Sequence, residues 1–168
     1  MKIPGAGKSS IDLIDLKKLI PELELRENIT FLDLACGEGN YIFALADYIY
    51  GGTKIYAIDA WPEGLEHLRQ KAEKTGMDFV SVIKADAACK IPLQTEQVDV
   101  CLMATVVHDL HRDGKAATAL QEVHRVMKPG GKLAIIEFQK VNNPPGPPNE
   151  IKLKPAEQAH KVNSFGFY

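Results

Sequence analysis

Five short apolar runs, separated by stretches of helical period, constrain this chain more than any other feature. They are "NITFLDLA" (28–35), "TKIYAID" (53–59), "DFVSVIKADA" (78–87), "VDVCLMATVV" (98–107) and "KLAIIEF" (132–138). Near-continuous apolar runs of this length read as strands covered on both faces, the condition of a parallel sheet. "YIFALADYIY" (41–50) has the spacing of a helix buried on one side. "EGLEHLRQKAEKTG" is charged and amphipathic and stops on Gly76, a suitable C-cap. "KAATALQEVHRVMK" sets Leu120, Val123 and Met127 on one face and ends at Pro129-Gly130-Gly131.

Repeated β-α units of this kind predict an α/β, Rossmann-like, doubly wound sheet of strand order 3-2-1-4-5. Ligands of such sheets bind beyond the carboxyl ends of the strands, at the switch point between strands 1 and 4. The 168 residues suffice for one domain. Its expected parts are an N-terminal flap and helix (1–28), a core (29–140), and a Pro-rich linker with a last helix (141–168). With 45% hydrophobic and 25% charged residues the composition is that of a soluble globular protein, expected in the cytoplasm. A net charge of -2 gives no electrostatic reason to expect nucleic acid or an anionic membrane as partner. No apolar run approaches the roughly 20 residues of a membrane helix. Cys36, Cys89 and Cys101 are widely spaced without a CxxC pair, so free thiols and no metal site are expected.

The first strand leads into a glycine loop, "LDLACGEGN", that carries Asp33 and Glu38 and no cation. A dinucleotide pyrophosphate would be repelled there, and Ile42 stands where the dinucleotide fingerprint wants a third small residue. Acids also follow the next two strands, at Asp59 and Asp86. Such a crevice suits a ligand with a ribose and cationic groups but no phosphate. S-adenosylmethionine fits: it has an ammonium, a sulfonium and a free diol. Asp59 can accept from both ribose hydroxyls, Asp86 from the adenine amino group, and Asp33 from the ammonium.

In order and spacing, "LDLACGEGN", "IYAIDAW", "IKADA", "VDVCLMATVVHDL" and "HRVMKPGGKLAIIEF" resemble the motifs of class I S-adenosylmethionine-dependent methyltransferases. The nearest likeness is to the type 11 group that includes quinone-biosynthesis C-methyltransferases. The resemblance covers residues 29 to 138. It implies cofactor contacts from Asp33, Ala35, Gly37 and Gly39, and ribose recognition by Asp59. It also implies adenine packing against Ala60 and Trp61, an adenine edge held by Asp86 and Ala87, and a methionine end at Ala104. Family members usually close the sheet with an antiparallel hairpin, and this sequence stops at "SFGFY", where that hairpin would begin. Strand 5 is then an apolar edge, expected to be shielded by the last segment folding back or by a second copy in a homodimer.

His108, in "VVHDLHRD" after strand 4, stands where a methyl acceptor would sit and is the candidate catalytic residue; His111 is a weaker one. Both compete with a structural reading, as do Asp109 and Asp113 as helix caps. "PGAGKSS" (4–10) is not a P-loop: Lys2 occupies the place of the first glycine and no strand precedes it. Around Lys8 to Ser10 a flap over the cofactor is expected instead. No Asn/Asp-Pro-Pro-aromatic run follows strand 4, which argues against amine methylation of bases and of glutamine and leaves other small-molecule acceptors open. A non-catalytic S-adenosylmethionine-binding or partner-regulating module and a dinucleotide oxidoreductase are the competing readings.

Overall fold

The computed structural model describes residues 6–141 and 145–167. The first five residues of the N-terminal segment, part of the Pro-rich linker (142–144) and Tyr168 lie outside that description. The strands are β1 (Thr30–Leu34), β2 (Lys54–Asp59), β3 (Val80–Lys84), β4 (Val98–Ala104) and β5 (Met127–Ile136). They form a parallel sheet in the order β3-β2-β1-β4-β5. The helices are α1 (Leu16–Leu23), α2 (Asn40–Ala44), α3 (Pro62–Lys74), α4 (Val107–Arg112), α5 (Ala116–Val126) and α6 (Pro155–Asn163).

Strand residues alternate between two cores. Phe31, Ile55, Ala57 and Leu102 face Ile42 of α2 and Leu68 of α3, while Leu32, Leu34, Ile58 and Met103 face Leu120 and Val123 of α5. Both-face burial explains why the strands carry so few polar residues. At the amino-terminal rim, Asp99 accepts the Thr30 N–H at 2.9 Å and pairs with Lys128 at 2.7 Å and Arg26 at 3.6 Å. The charges at that rim satisfy one another through Asp99.

The structure moves several boundaries. The helix over 41–50 is shorter: α2 ends at Ala44 and a 3-10 turn follows at Ala46–Tyr48. Strand 4 ends at Ala104, because Thr105 adopts φ +53 and turns the chain into α4. Strand 5 begins at Met127, ahead of Pro129-Gly130-Gly131, which form an irregularity where the pairing partner jumps between Val98 and Val100. The last helix does not pair with the edge of β5. Val162, Phe165 and Phe167 pack on the α5 face, and β5 has β4 as its strand neighbour among the described residues.

Candidate active site

Strand parity builds the first half of the site. Asp33 pairs in register with Ala57, so Asp59 lies two residues further along β2 on the same face. Asp33 is 2% exposed, and its Oδ2 has no hydrogen-bond partner among the described residues. Burial, reinforced by the Asp59 carboxylate, raises the Asp33 carboxyl from 3.8 to about 7. A buried, unpartnered carboxylate oxygen costs several kcal/mol in isolation, at roughly 1–3 kcal/mol or more for each unsatisfied polar group. A cationic ligand group would remove that cost, so the residues present fit the ammonium of S-adenosylmethionine.

Asp59 ties the loop together. Its Oδ2 accepts the Gly37 N–H at 2.8 Å and its Oδ1 accepts the Trp61 N–H at 2.7 Å. The turn-capping and ribose-binding readings are therefore compatible: each oxygen keeps a lone pair for a diol. Gly37 and Gly39 have φ +56 and +72, and they differ in what surrounds them. A Cβ on Gly39 would lie 2.7 Å from Leu68 Cδ1, whereas one on Gly37 meets nothing within 4 Å. Gly39 serves helix packing, and Gly37 borders open space. Just past β1 and β4, Ala35 (φ +64) and Thr105 (φ +53) both adopt the left-handed conformation at the switch point. Strained residues of this kind gather at binding sites.

The remaining expected residues divide. Ala60, Ala87 and Ala104 are half-buried near the ends of their strands. Asp86 is exposed; its Oδ1 accepts the Ala88 N–H at 2.9 Å and its Oδ2 faces Lys115 at 3.4 Å. That is the geometry of a turn acid. The Trp61 ring lies over Gly64, where a Cβ would come within 2.3 Å of it, so it caps the start of α3. Its outer edge is 3.7 Å from the Cβ position of Gly7 in the N-terminal segment. Further along that segment, buried Ser10 shares a 2.7 Å hydrogen bond with the Tyr41 hydroxyl, and its Oγ is 3.5 Å from Thr105 Oγ1.

The second half lies at the ends of β4 and β5. His108 is buried in α4, and its Nδ1 is 2.8 Å and 3.1 Å from the two oxygens of Glu137, the residue immediately after β5. Glu137 Oε1 also accepts the Val107 N–H at 2.9 Å and, more weakly, the His108 N–H at 3.3 Å. Glu137 is a member of this cluster to which sequence reasoning gave no role. Its signal was a lone acid near the end of the apolar run "LAIIEF", at the carboxyl rim of the sheet. His111 has no ring partner among the described residues; burial, then Lys161, hold its imidazole below the usual range while Glu137 opposes them.

A parallel 3-2-1-4-5 sheet with an acidic glycine loop is the form of the class I S-adenosylmethionine-dependent methyltransferases. The chain belongs to the methyltransferase-domain family, whose pattern it matches over residues 25–164. It is 32% identical over 137 residues to the 2-phytyl-1,4-naphtoquinone methyltransferase of Nostoc punctiforme, covering 81% of this chain and 54% of that protein. It is also 32% identical over 117 residues to the demethylmenaquinone methyltransferase of Protochlamydia amoebophila, covering 68% and 46%. The chain thus spans about half the length of these curated relatives. The crystal structure of a SAM-dependent methyltransferase from Aquifex aeolicus superposes with a TM-score of 0.83 at 32% identity, covering 99% of this chain and 84% of that one. The cofactor of this family is S-adenosylmethionine.

Proposed function

We propose that the chain transfers the methyl group of S-adenosylmethionine in line to a small-molecule acceptor. The observation that carries this is the buried Asp33 carboxylate, one oxygen unpartnered, beside Asp59 and across a glycine loop free of cations. In this reading Asp33 holds the ammonium, Asp59 the ribose diol, and Ala35, Gly37 and Gly39 the backbone wall. Ala60 and Trp61 pack the adenine. Asp86 and Ala87 border its edge, where Asp86 must leave Lys115 to accept from the amino group. Ala104 closes the methionine end.

When bound, the cofactor supplies a methyl carbon activated by a sulfonium leaving group. The chain's own work is then to hold an acceptor at attack distance and to exclude water. The N-terminal segment, latched through Ser10 to Tyr41, is suited to the second task. The names of the relatives favour a naphthoquinone-derived acceptor. A quinone ring is electron-poor, so the reacting form would be the hydroquinone.

Calorimetry with S-adenosylhomocysteine is expected to show binding, with none for NAD. Asp59→Ala is expected to weaken it about 30–150-fold, the loss of a charge-assisted pair of hydrogen bonds worth about 2–3 kcal/mol. Asp59 also holds two loop amides, so Asp59→Asn, which keeps an acceptor for one of them, separates lost charge from a disordered loop. Unchanged affinity in both variants would remove the assignment. Methyl transfer to menadiol (2-methyl-1,4-naphthohydroquinone) tests the acceptor class.

A further inference from the structure

Two polar side chains from different elements meet at the carboxyl rim of β4 and β5, and the cofactor reading above uses neither. His108 lies on α4 and Glu137 at the end of β5, both nearly closed to solvent, with side-chain exposures of 8% and 10%. As a cap for α4, Glu137 requires only the Val107 and His108 amides. The cap does not explain why both carboxylate oxygens also reach the His108 ring nitrogen. A carboxylate accepts and never donates, so the shared proton resides on Nδ1, and in the neutral ring Nε2 is the nitrogen that carries the lone pair.

We propose that Glu137 is a positioning residue that fixes His108 with Nε2 as proton acceptor, so that the methyl acceptor is one that must surrender a proton from an aromatic hydroxyl. This rests on the methyltransferase reading above and assigns the residue pair that would take the proton from such an acceptor. The O–H bond of the acceptor breaks, its proton passes to Nε2, and the oxygen keeps the electron pair. The bond from the acceptor's nucleophilic atom to the methyl carbon forms as the S–CH3 bond breaks, with that electron pair staying on sulfur. Attack through oxygen leaves His108 protonated. Attack through the ring carbon ortho to it is followed by loss of that carbon's proton to water and reprotonation of the oxygen. Either way one methyl group is gained and one proton is released.

The surroundings of the ring match the task. The Phe138 ring packs edge-on to the imidazole with centroids 6.2 Å apart, an apolar wall beside a charge-forming group. The buried Lys152 places its ammonium 5.6 Å from the centroid of the Phe138 ring and donates to the Pro145 carbonyl at 3.2 Å. On the far side, Asp109 Oδ2 is 3.6 Å from Nε2, too long for a hydrogen bond, and Asp109 is held by Arg112 at 2.6 Å. His111 and Lys161 are the other titratable groups close by, and Glu137 acts on His111 as well. Asp33 and Asp59 lie on the α2–α3 face, whereas the His108–Glu137 pair follows the parity of the α5 face. The acceptor would then lie across the strand ends between them.

The test uses the full chain with S-adenosylhomocysteine bound and 15N-labelled histidine. Long-range 15N–1H correlation is expected to show His108 protonated at Nδ1 and bare at Nε2; the opposite tautomer overturns the proposal. With menadiol kept reduced, Glu137→Gln is expected to lower turnover about 10–100-fold near neutral pH. The deficit should shrink as pH rises toward the hydroquinone's own ionisation, since an acceptor that ionises unaided needs no base. His108→Gln should show the same rescue, and the double variant should be no slower than His108→Gln alone. A loss equal at every pH marks Glu137 as a structural cap and overturns the proposal. Unchanged S-adenosylhomocysteine affinity in the variants shows that the cofactor half is intact. Wild-type protein that binds it and shows the expected tautomer, yet leaves menadiol unmethylated, overturns the hydroquinone acceptor and not the orientation of His108.

Discussion

Asp33 concentrates the physics of the site in one side chain. An acid that ionises at 3.8 when unfolded and at about 7 when folded binds more protons in the native state between those values. Stability therefore falls as pH rises from about 4 to about 7 and levels off above, by on the order of 4 kcal/mol at one pKa unit to 1.36 kcal/mol. The sign is opposite to that of an acid in a salt bridge, whose contribution is lost on acidification. Asp33→Asn is expected to flatten this slope and to be more stable than the wild type at pH 8, while losing cofactor affinity. In the wild type, the melting shift given by S-adenosylhomocysteine should grow between pH 6 and 8, as the carboxylate that would meet its ammonium becomes charged. Equal slopes for Asp33→Asn and wild type, read by denaturant titration across pH 5–8, would show that Asp33 is not the group responsible.

At the scale of the element, the glycine loop separates two jobs that look alike in "CGEGN". Gly39→Ala forces a Cβ to 2.7 Å from Leu68 in a left-handed conformation, so it should cost about 2–4 kcal/mol of stability. Gly37→Ala meets no atom within 4 Å, so about 1 kcal/mol of backbone strain is expected. Its main effect should be on S-adenosylhomocysteine affinity, if the open space is the cofactor's. Chemical denaturation and calorimetry on the pair measure both, and a Gly37 variant that binds as wild type would place the cofactor elsewhere. The sequence showed the strands because both-face burial leaves no room for polar residues, and it showed their order because alternation and right-handed crossovers permit few others. It did not show α4. A six-residue helix whose N-cap residue, Val106, has no capping side chain has no local signal to read, and the turn that starts it is a left-handed Thr105, a residue with no preference for that conformation. Glu137 was hidden for a related reason: its partner is 29 residues away, and only the pairing of β4 with β5 brings them together. Asp59 was legible as a strand-end acid, but not its hold on the Gly37 amide, which needs the parallel register of β1 and β2.

Across the whole molecule, burial is graded from the centre of the sheet outward. Leu32, Leu34, Cys101, Leu102 and Met103 in β1 and β4 are fully buried, whereas β5 from Gly131 to Ile136 is half-buried throughout. The cause is topological: β1 and β4 have a strand on each side, and β5 has one among the described residues. Its outer side looks into a long groove whose far wall includes Pro155, Ala159 and Val162 of the last helix. An apolar strand edge with unpaired N–H and C=O groups is the part of a sheet that opens first and pairs most readily with another chain. Hydrogen exchange followed by mass spectrometry should resolve this gradient. Peptides covering 30–34 and 98–104 are expected to exchange only through global unfolding. In dilute protein, the segment 132–138 should contain a fast-exchanging class of outward amides beside a slow class bonded to β4. Protection of the whole segment equal to that of β1 would contradict the unpaired edge. If that protection were lost on dilution, the edge would be joined to a second copy in solution; if it persisted, residues of the same chain would be covering it.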